Sequence, residues 1–220
     1  MNELIFSFHI LFLMSLSIIA LKLGEKALSC FIVLMSIISN LFVLKQIELF
    51  SLTVTAADAY TICGLFSLNL LQEYFGKEKA SKIVSINFFC MLSFGLLAII
   101  HLKYIPSPID LTQNAYHEIL SLSPRLIVSS LASYFVSQKI DVLTFGYLRE
   151  KIFPNSISKS SLISSLCSQT VDTILFSLLA LYGEVNSVLS IIFLSLVIKF
   201  ITILAMSPMM NYSKKIMVKA

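Results

Sequence analysis

Two apolar stretches of the chain carry one polar signature, Ser137-Gln138-x-x-Asp141-x-x-x-Phe145 and Ser168-Gln169-x-x-Asp172-x-x-x-Phe176. Each aspartate ends a ladder of serines at steps of four: Ser129, Ser133, Ser137 before Asp141, and Ser160, Ser164, Ser168 before Asp172. Steps of four stay near one helix face, so each stretch presents a polar stripe that ends in a carboxylate. A carboxylate within a lipid-embedded helix costs at least about 2.5 kcal/mol on insertion scales and normally faces a bundle interior or a solute path. The serines themselves suit close helix–helix packing, where small residues at every fourth position let backbones approach. Packing and chemistry are compatible here: close approach would carry both aspartates towards one cavity.

Other polar residues fall inside apolar segments. Asn69 and Glu73 lie four apart on one face of Ser67–Gly76, with Gln72 beside them. Glu73 can belong to a site, or can pair with the basic cluster that begins at Lys77. Asn40 and Arg125 are further candidates, although Arg125 could simply anchor a helix at the headgroups. Lys199, flanked by Ile198, Phe200 and Ile201, needs a carboxylate partner, and Asp172 or Asp141 is the natural one. Asp58 is expected to cap the start of a helix, and His9 to pack in an apolar span. The histidines His101 and His117 lack Cys or carboxylate partners at metal spacing, so no metal site is expected. No Gly-rich phosphate loop, Walker lysine, G-x-S-x-G or H-E-x-x-H occurs, which argues against an ATP-driven pump on this chain and against an enzyme.

The elements that must position these residues are membrane helices. Of the 220 residues, 57% are hydrophobic and 13% charged, against roughly 25% charged in soluble domains. The chain leaves no room for a separate soluble domain once spans of about 20 residues are placed. Cys30, Cys63, Cys90 and Cys167 are isolated apolar fillers, and the net charge of +4 reflects loop lysines rather than a nucleic-acid surface. The first residues lack a basic n-region and no cleavage site follows, so the first apolar run is expected to stay.

Hydropathy predicts about seven spans, near 4–21, 27–44, 57–75, 83–102, 124–147, 160–182 and 186–206. Gln46–Thr55 forms an extended or re-entrant connector, and a short surface helix covers Asn114–Leu122 beyond the helix-breaking Pro106 and Pro108. Basic residues Lys22, Lys26, Lys77, Lys79, Lys82, Arg149, Lys151, Lys159, Lys214, Lys215 and Lys219 fall in alternate connecting segments. By the positive-inside rule these segments are cytoplasmic, with the N-terminus outside and the C-terminus inside. The expected fold is an all-α polytopic bundle: an additional N-terminal span (1–26), a core of about six helices (27–212) and a basic cytoplasmic tail (213–220). The repeated motif, on antiparallel spans, also hints at a pseudo-two-fold axis in the membrane plane, where transporters often bind substrate.

The ordered set of motifs resembles the queuosine precursor transporter family, once described only as vitamin uptake transporters. The residues that carry the resemblance run from about 36 to 210. They are Ser39-Asn40; Asn69, Glu73, Phe75-Gly76 and Ala80; Arg125, Ser130, Tyr134, Gln138, Asp141-Val142 and Phe145; Ser164-Ser165, Asp172-Thr173 and Phe176; and Lys199 with Pro208. This chain departs from the pattern at Asn69, where the family has Asp, at Phe75, where it has Tyr, and at Ser81, where it has Arg. The segment before Ala27 has no counterpart in the six-span members.

The resemblance implies a transporter in the bacterial cytoplasmic membrane for a small nucleobase-like solute, a 7-deazaguanine such as queuine or a pre-queuosine base, with no cofactor. A guanine-like edge offers a ring N–H beside an exocyclic amine, which one carboxylate can accept together. Asp141 or Asp172 could do so. Gln138, Gln169, Asn69 and Asn40 would meet the carbonyl and ring nitrogens, and Tyr134, Phe145 or Phe176 would stack on the base. A second carboxylate could balance the aminomethyl cation that later precursors carry. Glu73, Arg125 and Lys199 complete the candidate set. Two other readings stay open: a substrate-binding subunit energised by a separate ATPase, and a scaffold in which the ladders only hold helices together. The paired carboxylates favour a transporter.

Overall fold

The computed structural model describes residues 1–50, 52–121, 124–183 and 188–217. The described residues form eight α-helices and one β-hairpin: α1 (Asn2–Lys22), α2 (Glu25–Leu41), β1 (Gln46–Leu49), β2 (Leu52–Thr55), α3 (Asp58–Phe75), α4 (Lys77–His101), α5 (Gln113–Leu120), α6 (Pro124–Tyr147), α7 (Ile157–Phe176) and α8 (Val188–Met217). In lipid every backbone polar group must be satisfied internally, and long helices meet that demand segment by segment.

Helices α1, α4, α7 (with the turn that extends it) and α8 are long and apolar enough to cross a bilayer. The remaining predicted spans, α2, α3 and α6, are the helices that carry Asn40, Asn69, Glu73, Gln138 and Asp141. Helix α2 is one turn or more shorter than the four, at 17 residues, and the polar residues of α3 and α6 are turned into the bundle, where Asn69 bonds Ser161 and Ser165 of α7 and Gln138 and Asp141 are buried. Phe8, Phe12, Phe89, Leu97, Leu143, Leu189 and Phe193 stand exposed on the outside of the bundle, where lipid tails would cover them.

Helix α3 is the axis. Thirteen of its eighteen residues are buried, apolar and polar alike, and it touches α1, α2, α4, α6, α7 and α8. Helices α6 and α7 form the most extensive pair in the molecule. Both serine ladders lie in buried positions, at 4% exposure or less for Ser129, Ser133, Ser137, Ser160, Ser164 and Ser168. Small side chains at these steps admit the close approach. Each of the two helices ends in a single π-helical turn, Leu148–Ile152 after α6 and Ser177–Leu181 after α7.

Two tight reversals, α1 to α2 and α3 to α4, pass through Gly24 (φ +103°) and Gly76 (φ +97°), backbone that a side chain would strain. An ion pair between Lys79 and Glu25 joins the two reversals on one face of the bundle. Helix α1 packs on α3, where Ser17 Oγ meets Ser67 Oγ at 2.9 Å and Cys63 Sγ at 3.2 Å.

The connector over 46–55 is extended, as expected, and closes as an antiparallel hairpin with Gln46 opposite Thr55 and Leu49 opposite Leu52. The surface helix is α5; Leu122, its expected end, lies outside the described residues, as does residue 186, the expected start of the seventh span. Helix α8 continues through Ser213 to Met217, so the first residues of the basic tail are helical, and Lys219 lies outside the described residues. Asp58 differs from expectation: Ala57 is the residue before the helix and no side chain caps it.

Candidate functional site

Antiparallel packing of α6 on α7 crosses the two copies of the signature. Ser137 Oγ donates to Asp172 Oδ1 at 3.4 Å, and Ser168 Oγ donates to Asp141 Oδ1 at 3.1 Å. Each serine thus serves the aspartate of the other copy, a reciprocal pattern expected of a local pseudo-two-fold. Because the motif runs serine first and aspartate last in both helices, the two carboxylates sit at opposite ends of the crossed motif, one helical turn (~6 Å) apart, and face opposite halves of the bundle. The glutamines fall between them.

One half opens into a cavity of about 180 Å³, far above the roughly 10–15 Å³ needed for one water. It lies where the end of α2, the hairpin and the start of α3 meet α6, α7 and α8. Its walls include Ser36, Ser39 and Asn40 from α2, Asp58 and Thr61 from α3, Ser130, Tyr134, Ser137 and Gln138 from α6, Gln169, Asp172 and Phe176 from α7, and Ser195 and Lys199 from α8. Of the residues singled out in the sequence, the cavity gathers Asn40, Tyr134, Gln138, Gln169, Asp172, Phe176 and Lys199.

Lys199 finds its partner in Asp172, Nζ to Oδ2 at 3.2 Å, and also donates to Thr173 Oγ1 at 3.2 Å. The ammonium is 7% exposed, so this pair stands between α7 and α8 with little solvent around it. Tyr134 is held by its hydroxyl, which accepts from Ser36 Oγ at 3.3 Å and from Asn87 Nδ2. Asn40 Oδ1 accepts from Ser130 Oγ at 3.3 Å, while its Nδ2 donates to the Ser36 carbonyl at 3.1 Å. Gln138 and Gln169 are 3% and 1% exposed, yet neither makes a hydrogen bond to a described residue, and Gln169 Oε1 is a buried acceptor without a donor. Such groups are costly unless something else satisfies them.

Five expected residues are not in the cavity. Asp141 is fully buried in the opposite half, with Oδ2 unpartnered. Asn69 donates through Nδ2 to Ser161 Oγ at 3.0 Å and Ser165 Oγ at 3.2 Å, stitching α3 to α7. Glu73 forms a two-point ion pair with Arg149, Nη2 to Oε1 and Nε to Oε2 both at 2.7 Å. That fork geometry ties the end of α3 to the turn after α6. Hydrogen bonding to Glu73 holds the guanidinium above its ordinary range. The loop partner of Glu73 is therefore Arg149 and not Lys77. Arg125 is exposed and donates to the carbonyls of Leu179 at 2.8 Å and Tyr182 at 2.6 Å, at the end of the π-turn that follows α7. Phe145 is 1% exposed in the apolar core and offers no face to a ligand.

The half that holds Asp141 is sealed by side-chain bonds at several levels. Gln72 Nε2 donates to the Val142 carbonyl at 2.8 Å, Tyr74 Oη meets Ser213 Oγ at 2.9 Å, and Ser158 Oγ meets Ser207 Oγ at 2.6 Å. Lys139 also turns away from the cavity, donating to the Ser81 carbonyl and Oγ, each at 2.9 Å.

Asp58 is the residue that sequence reasoning missed. It is 7% exposed and lines the cavity. Its place at the first residue of an apolar helix reads as a cap. The available signal is that a third aspartate stands at the edge of a span with no lysine near it in sequence.

A family model described as "Putative vitamin uptake transporter" matches residues 55–212. A curated protein of Bacillus subtilis (strain 168), "Probable queuosine precursor transporter", is 30% identical over 162 residues, 73% of this chain and 70% of the relative. No solved structure matches the chain. The matched region begins at the end of the hairpin and takes in α3 through most of α8, so it contains the crossed motifs, the Lys199–Asp172 pair and most of the cavity wall. With more than half its length under that model, the chain belongs to the vitamin uptake transporter family and is a multi-pass membrane transporter.

Proposed function

We propose that this transporter imports a 7-deazaguanine-type base, a precursor of queuosine, across the bacterial cytoplasmic membrane and binds it in the cavity between α2, α3, α6, α7 and α8. The observation that carries the reading is the pair of unpartnered glutamines, Gln138 and Gln169, facing the same polar cavity. Each amide offers two donors and an acceptor, and together they complement the alternating N–H, C=O and ring-nitrogen edge of a guanine-like base. Tyr134 and Phe176 supply aromatic surfaces for a planar solute. The carboxylate of Asp172 keeps lone pairs beyond those used by Ser137 and Lys199. The Bacillus subtilis relative, by its name, acts on the same class of solute.

The charge asymmetry of the loops supports an N-terminus outside and a C-terminus in the cytoplasm. In that orientation the cavity opens in the outer half of the membrane, and the half held by Asn69, Gln72, Glu73 and Arg149 is the cytoplasmic seal. Reporter fusions at the two termini test the orientation; a periplasmic signal from the C-terminal fusion would reverse it. Uptake of labelled deazaguanine bases by cells that lack their own importer and express this chain tests the function. Accumulation above the vector control is expected, and its absence for every base of the class overturns the proposal.

A further inference from the structure

Three charged side chains line the cavity: Asp58, Asp172 and Lys199. Lys199 lies within electrostatic reach of both carboxylates, but of the two it pairs with Asp172 only, its other hydrogen bond going to Thr173 Oγ1. Among the described residues nothing donates a hydrogen bond to the Asp58 carboxylate, and no basic group pairs with it. The side chain is more than nine-tenths buried, and it is held at the cavity wall by the first turn of α3, the most enclosed helix of the bundle. With both acids ionised the cavity carries one uncompensated negative charge.

A buried carboxylate without a partner is unfavourable, and a neutral solute would leave it so. A solute that brings one ammonium would complete the set, with two cations against two carboxylates. The polar edge of a planar base is already provided for by Gln138, Gln169 and Asp172, whereas none of these supplies a free negative charge. We infer that Asp58 is the specificity-determining residue of the cavity, a subsite for a protonated amine carried by the transported base. This rests on the proposed import of deazaguanine bases and narrows it: the preferred substrates are members of that class with a cationic amino substituent, and neutral members are poor ones. Asp58 touches the substrate's substituent, and the glutamines touch its ring.

The test compares two labelled probes, 7-aminomethyl-7-deazaguanine, which is cationic at neutral pH, and 7-cyano-7-deazaguanine, which is neutral. Both are given to importer-deficient cells that express the wild-type chain, Asp58→Asn or Asp58→Glu, with membrane yield measured for each. The wild type is expected to take up the aminomethyl base with a KM at least tenfold lower than the cyano base. Asp58→Asn is expected to raise the KM for the aminomethyl base at least tenfold and to lower that for the cyano base, so that the preference is lost or reversed; continued uptake of the cyano base also reports that the variant is folded. Asp58→Glu is expected to keep the preference.

If wild-type cells take up both bases equally well, or if Asp58→Asn lowers uptake of both in proportion, Asp58 is not an amine subsite and the inference falls while the import function stands. If neither base is taken up by the wild type, this inference falls, and the import proposal falls with it only if every other base of the class is refused too. Should Asp58→Asn not reach the membrane, competition between the two probes in wild-type cells still decides the charge preference.

Discussion

Asp141 and Asp172 end the same sequence signature, lie on adjacent antiparallel helices and accept a hydrogen bond from each other's serine, yet their surroundings differ. Asp172 faces a cavity and pairs with Lys199. Asp141 is shut in at 0% exposure, with one oxygen bonded to Ser168 and the other unpartnered. Nothing within α6 and α7 accounts for this. The difference comes from what packs over them. At Asp172, α8 presents a lysine, and the ends of α2 and α3, joined through Ser39 and Thr61, wall a cavity. Around Asp141, the half of the bundle is closed by α3 through Asn69, Gln72 and Glu73. A local pseudo-symmetry of two helices is thus broken by their neighbours, as alternating access requires of a transporter that is open on one side at a time.

The strongest way to break this comparison is to remove Lys199. Lys199→Met leaves Asp172 as a buried charge without its partner, which should cost about 3–5 kcal/mol and abolish uptake. Adding Asp172→Asn should restore membrane yield and detergent melting temperature without restoring transport. Strictly additive losses in the double variant would show that the two residues do not interact.

The two aspartates should next separate by function. Asp172→Asn keeps shape but removes the charge at the cavity and strands the Lys199 ammonium, so uptake should fall at least tenfold, about 1.4 kcal/mol or more, with a loss of stability comparable to that of Lys199→Met. Asp141→Asn should leave substrate KM within about twofold, a shift of only a few tenths of a kcal/mol, because Asp141 does not reach the cavity. Equal losses of affinity in the two variants would mean that the enclosed copy also meets substrate.

The seal can be tested at Glu73. Glu73→Gln breaks a partly buried, two-point ion pair with Arg149 and should lower stability by about 1–3 kcal/mol. The coupling is measured by a double-variant cycle with Arg149→Met; a coupling energy near zero would remove this pair from the closure. The smallest effect is expected at Gly146, where a new Cβ would lie 3.0 Å from Gln72 Nε2 and 3.4 Å from Lys77 Cδ. Gly146→Ala should disturb the bond from Gln72 to the Val142 carbonyl and cost about 1 kcal/mol. A melting temperature unchanged from wild type would show that α3 and α6 have slack at this contact.

Legibility in the sequence tracks how local each cause is. The serine ladders were readable because helical periodicity alone puts every fourth residue on one face, and all six serines are buried. A partner for Lys199 was demanded by its apolar neighbours, since a lone ammonium in a span has no other resolution. Glu73 was readable as an acid that needs a base, but Arg149 could be identified only once the turn after α6 folded back onto α3. Asp58 was misread for the same reason in reverse: a helix-start position is a local cue for capping, while its role depends on five elements that meet around it. The role of Asn69 also becomes intelligible only in three dimensions, where its amide donates to Ser161 and Ser165 of α7.

From composition, periodicity and charge placement, the sequence by itself determined that this chain is a helical membrane protein with polar stripes on two paired helices and a buried lysine–carboxylate pair. These follow from the cost of placing polar groups in lipid, a cost that acts residue by residue. The tertiary structure alone decided which aspartate is open, which lysine partner is chosen and that Asp58 stands without one. Those outcomes depend on how far apart the ends of α2, α3, α6, α7 and α8 come to rest, and no single segment carries that information.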